Sequence, residues 1–146
     1  MQLLLALGTV LAVGLLSAQA KPNFSGTWTL VSSDAPEAAA GVKRFVVVLT
    51  QTDSALTLGN EKGAQTSVFP LDGSESTIKG SGPAAPDVTV RTRWEGAQLV
   101  VEQRTATTAI NTTVRLSDDG NELTVETVTQ GPGGEHREKQ LFRKSQ

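Results

Sequence analysis

His136 and Glu138 are the two side chains whose chemical types and spacing come closest to an active site. Residues two positions apart in a β-strand share a face, so this pair could act as acid and base or begin a metal site. A catalytic zinc site needs three protein ligands, however, and His136 is the only histidine in the sequence. We therefore predict a protein that is not an enzyme and has no metal and no cofactor. An enzyme that uses His136 and Glu138 is the alternative.

The elements that must position these side chains are β-strands. Beyond residue 24, apolar and polar residues alternate in runs rich in Val and Thr, with turn signals between the runs. This pattern is typical of an antiparallel all-β domain. One short helix is predicted within residues 32–43, where Ser33 or Asp34 caps it and Gly41 ends it. The predicted strands cover residues 24–31, 44–52, 55–59, 65–70, 75–79, 87–95, 98–105, 109–117, 122–130 and 135–143.

Three consecutive hairpins can be aligned from their turns. Gly96 and Ala97 fit a type II′ turn, because glycine supplies the positive φ that its first central position requires. Asp119 and Gly120 fit a type I′ turn, and residues 130–135 form a longer turn. The alignment predicts the cross-strand pairs Trp94–Leu99, Thr92–Val101, Arg91–Glu102, Leu116–Leu123, Val114–Val125, Thr112–Thr127, Gln130–Glu135, Glu126–Lys139 and Glu122–Arg143.

The alignment also predicts which residues face inward, because a one-residue slip would reverse every side chain. Opposite charges then meet on the outer face, and the inner face changes from apolar to polar along the strands. The apolar floor contains Trp94, Leu99, Leu116, Leu123 and Phe142. The successive layers beyond it contain Thr92, Val101, Val114, Val125 and Gln140; then Gln103, Thr112, Thr127 and Glu138; and last Thr105, Thr129 and His136.

Glu138 has two interpretations. If its carboxylate points into a barrel, it needs water, a partner or a ligand, because an unpaired buried charge is costly. If the last hairpin slips by one residue, Glu138 faces solvent.

The N-terminus indicates export. Residues 3–16 are uninterruptedly apolar, and "SAQA" follows as a small-x-small cleavage pattern. The run is shorter than the roughly 20 residues of a typical membrane span. We predict a signal peptide over residues 1–20, one domain over residues 21–146, no stable membrane span after cleavage, and a secreted or periplasmic location. A retained N-terminal anchor is the alternative.

Composition excludes two classes of protein. The chain has 13 basic and 15 acidic residues without a basic block, so nucleic acid is not an expected partner. It has no cysteine, which excludes a disulfide-stapled scaffold and a lipoprotein cysteine.

The segment "NFSGTW", residues 23–28, resembles the first strand of the calycins, which include the lipocalins, the fatty-acid-binding proteins and the avidins. It is most similar to the fatty-acid-binding proteins. The chain also resembles exported bacterial β-barrel proteins of unknown function that share the "FSGTW" start. The resemblance implies an up-and-down lipocalin-like β-barrel of about eight to ten strands. It also implies that Trp28 plugs the closed end of the barrel and that Gly26 lets the strand bend.

Two features differ from the fatty-acid-binding proteins. Residues 32–43 have room for about one short helix, whereas the lid of that family needs two. The family binds a carboxylate through an Arg-x-Tyr motif near the C-terminus, and the matching residues here are Gln140 and Phe142. Neither side chain holds a carboxylate as a guanidinium does.

The sequence therefore predicts a non-catalytic binding protein for a small lipophilic or amphipathic molecule. The residues predicted to line its interior are Thr92, Val101, Gln103, Thr112, Val114, Val125, Thr127, Glu138 and Gln140. The alternative is a filled barrel that binds a protein partner through its rim loops, as a periplasmic protease inhibitor would.

Overall fold

Ten β-strands form the part of the chain that the structure, a computed structural model, describes: residues 20–34, 45–80 and 82–146. All ten strands agree with the predicted ones, and no end differs by more than two residues. The strands are β1 (Gly26–Ser33), β2 (Val46–Gln51), β3 (Ala55–Gly59), β4 (Gln65–Pro70), β5 (Glu75–Ile78), β6 (Val88–Glu95), β7 (Gln98–Arg104), β8 (Ala109–Leu116), β9 (Glu122–Gly131) and β10 (Gly134–Lys144).

The strands form one antiparallel sheet that curls into a nearly closed up-and-down barrel. Each strand pairs with its neighbour in sequence from β1 to β4 and from β5 to β10, and β1 also pairs with β10. The two edge strands, β4 and β5, contact each other without being hydrogen-bonded neighbours in the sheet. Across this seam the Thr92 hydroxyl of β6 donates a hydrogen bond to the Pro70 carbonyl at the end of β4. The predicted all-β fold is confirmed.

The predicted register is confirmed in all three hairpins, including the Trp94–Leu99, Leu116–Leu123 and Gln130–Glu135 pairs. The turn at Gly96 has the predicted positive φ, 61°. Pairing in the last hairpin continues to Gly131 and Gly134, so its turn is shorter than predicted.

The type I′ turn predicted at Asp119 and Gly120 is wrong. Among the described residues only glycines have a positive φ, so Asp119 does not adopt the left-handed conformation that this turn requires. Instead, the Gly120 N–H donates to the Ser117 carbonyl at 2.9 Å, and Gly120 alone has a positive φ, 74°. The Asp119 carboxylate accepts hydrogen bonds from the Ser117 hydroxyl and the Asn121 N–H, which stabilise this longer turn.

The charged outer face is present, but one predicted partner changes. Glu126 lies 3.7 Å from Lys139 and Glu122 lies 3.2 Å from Arg143, as predicted. Arg91 and Glu102 are opposite each other in register, yet Glu102 forms its ion pair with Arg93. Arg93 also contacts the Glu95 carboxylate at 2.8 Å, so it lies between two acidic side chains, which explains the change.

The predicted helix and signal peptide fall mostly outside the described residues. Strand β1 continues to Ser33, so the first two residues of the predicted 32–43 helix are extended instead. Residues 35–43 and residues 1–19 lie outside the described ranges. Within those ranges the structure contains no helix with the length and apolar character needed to cross a bilayer.

Trp28 lies at the centre of one end of the barrel. Its side chain is fully buried, and its indole N–H donates to the Phe24 carbonyl at 2.9 Å. The ring of Phe24, also fully buried, stacks on Trp94 at 5.7 Å between centroids. The Lys144 ammonium lies 5.5 Å from the centre of the Trp28 ring. This end therefore combines aromatic packing with a satisfied indole N–H.

Gly26 allows the backbone of β1 to lie close to the Lys144 side chain at this end of the barrel. Its φ is 150°, a conformation that residues with a side chain rarely adopt. A Cβ atom there would lie 2.7 Å from Cε of Lys144, the side chain that covers the Trp28 ring. Leu99, Leu123 and Phe142 are buried in the same core, and Trp94 and Leu116 pack against it partly buried.

We expect Trp28→Ala to lower the free energy of unfolding by about 3–5 kcal/mol, because it leaves a cavity at the closed end. Urea denaturation measures this loss. Val31→Ala is the control, since Val31 is an exposed apolar residue of the same strand, and its effect should stay within about 0.5 kcal/mol. A loss below about 1 kcal/mol for Trp28→Ala would contradict the plug.

Candidate functional site

A cavity of about 280 Å³ lies inside the barrel between β2, β3 and β4 on one side and β7 to β10 on the other. Period-two alternation sends every second side chain of these strands inward. The lining side chains are mainly aliphatic and aromatic, and the polar ones are Gln103, Thr112 and Gln140. The cavity thus offers an apolar surface with a few hydrogen-bonding groups at defined positions.

Six of the nine predicted site residues line this cavity: Val101, Gln103, Thr112, Val114, Val125 and Gln140. All six belong to β7–β10. The β8–β9 and β9–β10 registers follow the predicted alignment. The predicted layers are wrong between β7 and β8, because Leu99 lies opposite Val114 and not beside Leu116, a shift of two residues that keeps the same side chains inward. The structure therefore brings these six together on one interior surface.

The other three predicted residues lie outside the cavity lining. Thr92 is fully buried at the seam of the barrel, where its hydroxyl bonds the Pro70 carbonyl. Thr127 places its hydroxyl oxygen 3.3 Å from that of Thr112. Glu138 is half-buried one inward position beyond Gln140 on β10.

Sequence reasoning missed the half of the lining that comes from the N-terminal strands. Six residues belong to this half: Phe45, Val47, Leu49, Leu56, Leu58 and Phe69. In 45–49 and in 56–58 these residues occupy alternate positions, which indicates that they share one face of each strand. No register was predicted for β2–β4 from the sequence, so these residues were not placed in the interior. Leu123 and Phe142, predicted as floor residues, complete the lining.

Glu138 lies at the polar end of the interior. Its Cα partner on β9 is Thr127, so the register does not slip and the solvent-facing interpretation is wrong. The Ser33 hydroxyl donates to Glu138 Oε1 at 3.0 Å, and Gln140 Nε2 donates to the same oxygen at 2.7 Å. Gln140 therefore links the carboxylate of Glu138 to the cavity.

His136 lies away from the cavity lining. Its side chain is exposed near the start of β10, opposite Thr129. No three His, Cys, Asp or Glu side chains of the described residues are grouped to hold a metal ion. The described part of the chain therefore presents no assembled metal site around His136.

The carboxyl groups with perturbed pKa values are exposed and lie outside the cavity lining. Hydrogen bonds to the ionised form lower the pKa in each case. The main donors are Ser74 for the pKa of Asp72, Lys79 for that of Asp87, Ser117 for that of Asp119 and Gln130 for that of Glu135. The hydrogen bonds that lower these pKa values belong to turns and surface pairs and not to the cavity.

Several solved structures share this fold. The zebrafish ileal bile acid-binding protein, complexed with cholic acid, is 17% identical, with a TM-score of 0.60 over 84% of this chain and 98% of that chain. Fatty-acid-binding protein 1 of Echinococcus granulosus is 16% identical, with a TM-score of 0.57 over 84% and 98%. A secretory abundant heat soluble protein of Ramazzottius varieornatus is 14% identical, with a TM-score of 0.63 over 88% and 100%.

These similarities define the class of fold: the chain has the up-and-down β-barrel fold of these structures. At such low identities the likeness extends to the fold alone. No protein-family model matches the chain, and no curated protein matches its sequence.

We expect Thr92→Val to lower the free energy of unfolding by about 1–3 kcal/mol, because it leaves the Pro70 carbonyl at the seam without its donor. Ligand binding should be unchanged, since Thr92 does not line the cavity. Thr89→Val on the outer face of β6 is the control, expected within about 0.5 kcal/mol. Urea denaturation measures the stability, and titration with N-phenyl-1-naphthylamine, an uncharged apolar dye used as a probe of the cavity, measures the binding. Weakened binding at full stability would instead make Thr92 a ligand contact.

Proposed function

We propose that this protein binds a small lipophilic or amphipathic molecule in its barrel, without catalysis. The observation that carries the proposal is the apolar cavity of about 280 Å³. Ligand pockets typically measure about 300–1,000 Å³ and combine apolar walls with a few convergent polar groups. The cavity is slightly smaller than the lower end of this range and has this composition, with Gln103, Thr112 and Gln140 as its polar groups.

The driving force for such binding is the removal of apolar surface from water. Each Å² of apolar surface buried contributes about 25 cal/mol. Phe45, Phe69 and Phe142 supply aromatic walls, and branched aliphatic side chains supply most of the rest. A ligand with an alkyl or flat hydrocarbon body gains contacts with all of these groups. A strongly polar solute would lose its hydration without replacement.

The names of the structural neighbours support the same class of ligand. One was solved with cholic acid, and others are a fatty acid transporter and a fatty-acid-binding protein. All three are binding or transport proteins by name, which supports a role without turnover. The ligands themselves do not carry over to this chain, because the likeness is one of fold.

A cavity of this size favours a small-molecule binder over a filled barrel that acts through its rim. A filled barrel has large inward side chains throughout its interior. Here the inward positions of β7–β9 carry Val101, Val114 and Val125, and these short side chains border the empty volume.

We further propose that the protein acts outside the cytoplasm, in a secreted or periplasmic location. The support comes from residues 3–16 and the "SAQA" pattern that follows them. Cleavage after Ala20 would leave the barrel intact, because β1 begins at Gly26.

Filling the cavity tests the binding proposal. N-phenyl-1-naphthylamine, an uncharged apolar dye, should gain fluorescence with the wild-type protein and bind Val125→Phe about tenfold more weakly or worse, a change of about 1.4 kcal/mol. The added ring would occupy cavity volume next to Val114 and Gln140. Fluorescence titration gives both dissociation constants.

Val128→Phe is the matched control for this substitution. Val128 is on the same strand, but its odd spacing from Val125 puts it on the outer face. Its dye affinity should equal that of the wild type. Equal affinities for all three proteins would mean that the dye binds elsewhere and would overturn the proposal.

A further inference from the structure

The described lining of the cavity combines a polar end with an absence of positive charge. Among its described lining residues there is no Lys, Arg or His, so no side chain there can pair with a carboxylate or sulfonate head group. The polar residues of this lining, Gln103, Thr112 and Gln140, are all uncharged. An anionic head group would lose its water there without gaining a counter-ion.

An acidic side chain lies next to the polar end of the cavity. Glu138 Oε1 lies 2.7 Å from Nε2 of Gln140, a lining residue. On the neighbouring strand, Thr127 lies opposite Glu138 and places its hydroxyl 3.3 Å from that of Thr112, another lining residue. The carboxylate is therefore one inward position beyond the lining, at the end away from the buried Phe142 and Leu123.

This carboxylate lacks a cationic partner in the described part of the chain. Glu138 takes part in none of the ion pairs formed there, in contrast to Glu126 and Glu122 on the outer face. Both of its hydrogen bonds, from Ser33 and Gln140, end on Oε1. Oε2 receives none from the described residues and can accept from a bound molecule.

We propose that the cavity selects amphiphiles with a cationic head group, with Glu138 as the counter-ion of a primary amine. This inference rests on the proposed function and names the class of ligand for the same cavity. The ammonium group has three donors, and the acceptors on this part of the inner face are Glu138 Oε2, the hydroxyl of its cross-strand partner Thr127, and the Thr112 hydroxyl 3.3 Å from that of Thr127. The alkyl chain extends from there between Val114, Val125 and the aromatic walls.

For ligands with the same alkyl chain, the charge of the head group sets the order of their affinities. A half-buried carboxylate attracts an ammonium more strongly than water-exposed pairs do, because the surroundings screen less. The same field opposes a carboxylate of equal chain length. A neutral alcohol can donate a hydrogen bond to Glu138 but gains no ion pair, so it falls between the two.

Competition at neutral pH tests this order. Decylamine, decanol and decanoate carry the same alkyl chain and are titrated separately against protein loaded with N-phenyl-1-naphthylamine. We expect decylamine to displace the dye at a concentration about tenfold below that of decanoate, with decanol between them. Equal displacement by all three, or decanoate as the strongest competitor, would overturn the proposed selectivity.

Two variants separate a local effect of Glu138 from one of net charge. In Glu138→Gln the advantage of decylamine over decanol should fall to within about twofold, because the amide has no charge to pair with the ammonium. Glu126→Gln removes the same charge from the outer face, and it should retain the wild-type order. If both variants lose the preference for decylamine over decanol and decanoate, the net charge of the protein causes that preference, which would contradict the role of Glu138.

Dye binding shows whether the proposed function fails or only the proposed selectivity for amines. If the dye fails to bind the wild-type protein, and none of the three decyl compounds changes its thermal stability, both proposals fail. If the dye binds and Val125→Phe excludes it, but the amine has no advantage, the cavity binds small molecules and only the selectivity is wrong. Salt gives a further check, because added salt should weaken decylamine and leave decanol unaffected.

Discussion

The alternation of side chains across one continuous antiparallel sheet is the constraint on which the rest of this structure depends. Val125 and Gln140 border the cavity because they lie opposite each other on the inner face, whereas Glu126 and Lys139 meet outside. A slip of one residue between β9 and β10 would move a charged side chain into the interior. The outer ion pairs are individually weak, but they favour the same register as the interior packing.

The two ends of the barrel differ in chemistry, and this difference gives the interior a direction. At one end Trp28 and Phe24 are fully buried, and the indole N–H is satisfied by a backbone carbonyl. At the other end the inward side chains include Glu138, which accepts a hydrogen bond from the Ser33 hydroxyl, and its cross-strand partner Thr127. An amphipathic molecule fits this gradient in only one orientation, with its apolar end toward the aromatic floor.

The strands and the inner face of β6–β10 could be predicted because local signals agree there. Tight turns beside regular alternation fix the register, and the structure follows it through the Trp94–Leu99 and Leu116–Leu123 pairs. The turn at Asp119 was mispredicted because an aspartate–glycine pair also suits a longer turn held by the aspartate's own hydrogen bonds. The Arg93 partner was missed because diagonal neighbours compete with directly opposite ones.

The N-terminal half of the cavity could not be predicted by the same reasoning. The β3–β4 turn depends on Asn60, whose side chain accepts hydrogen bonds from the Lys62 and Ala64 N–H groups. The register then shifts between Leu58 and Gly59, so regular alternation does not cross this turn. Contacts of this kind depend on the folded backbone. As a result, the predicted site contained the walls from β7–β10 and lacked Leu56 and Phe69.

The most direct test of the central claim is native mass spectrometry of the protein purified without detergent from the organism that produces it. The account predicts a recurrent non-covalent adduct, lost on denaturation, whose extracted mass identifies a small amphipathic molecule. A mass equal to that of the polypeptide alone, under conditions that preserve a bound dye, would contradict the claim that the cavity holds a ligand.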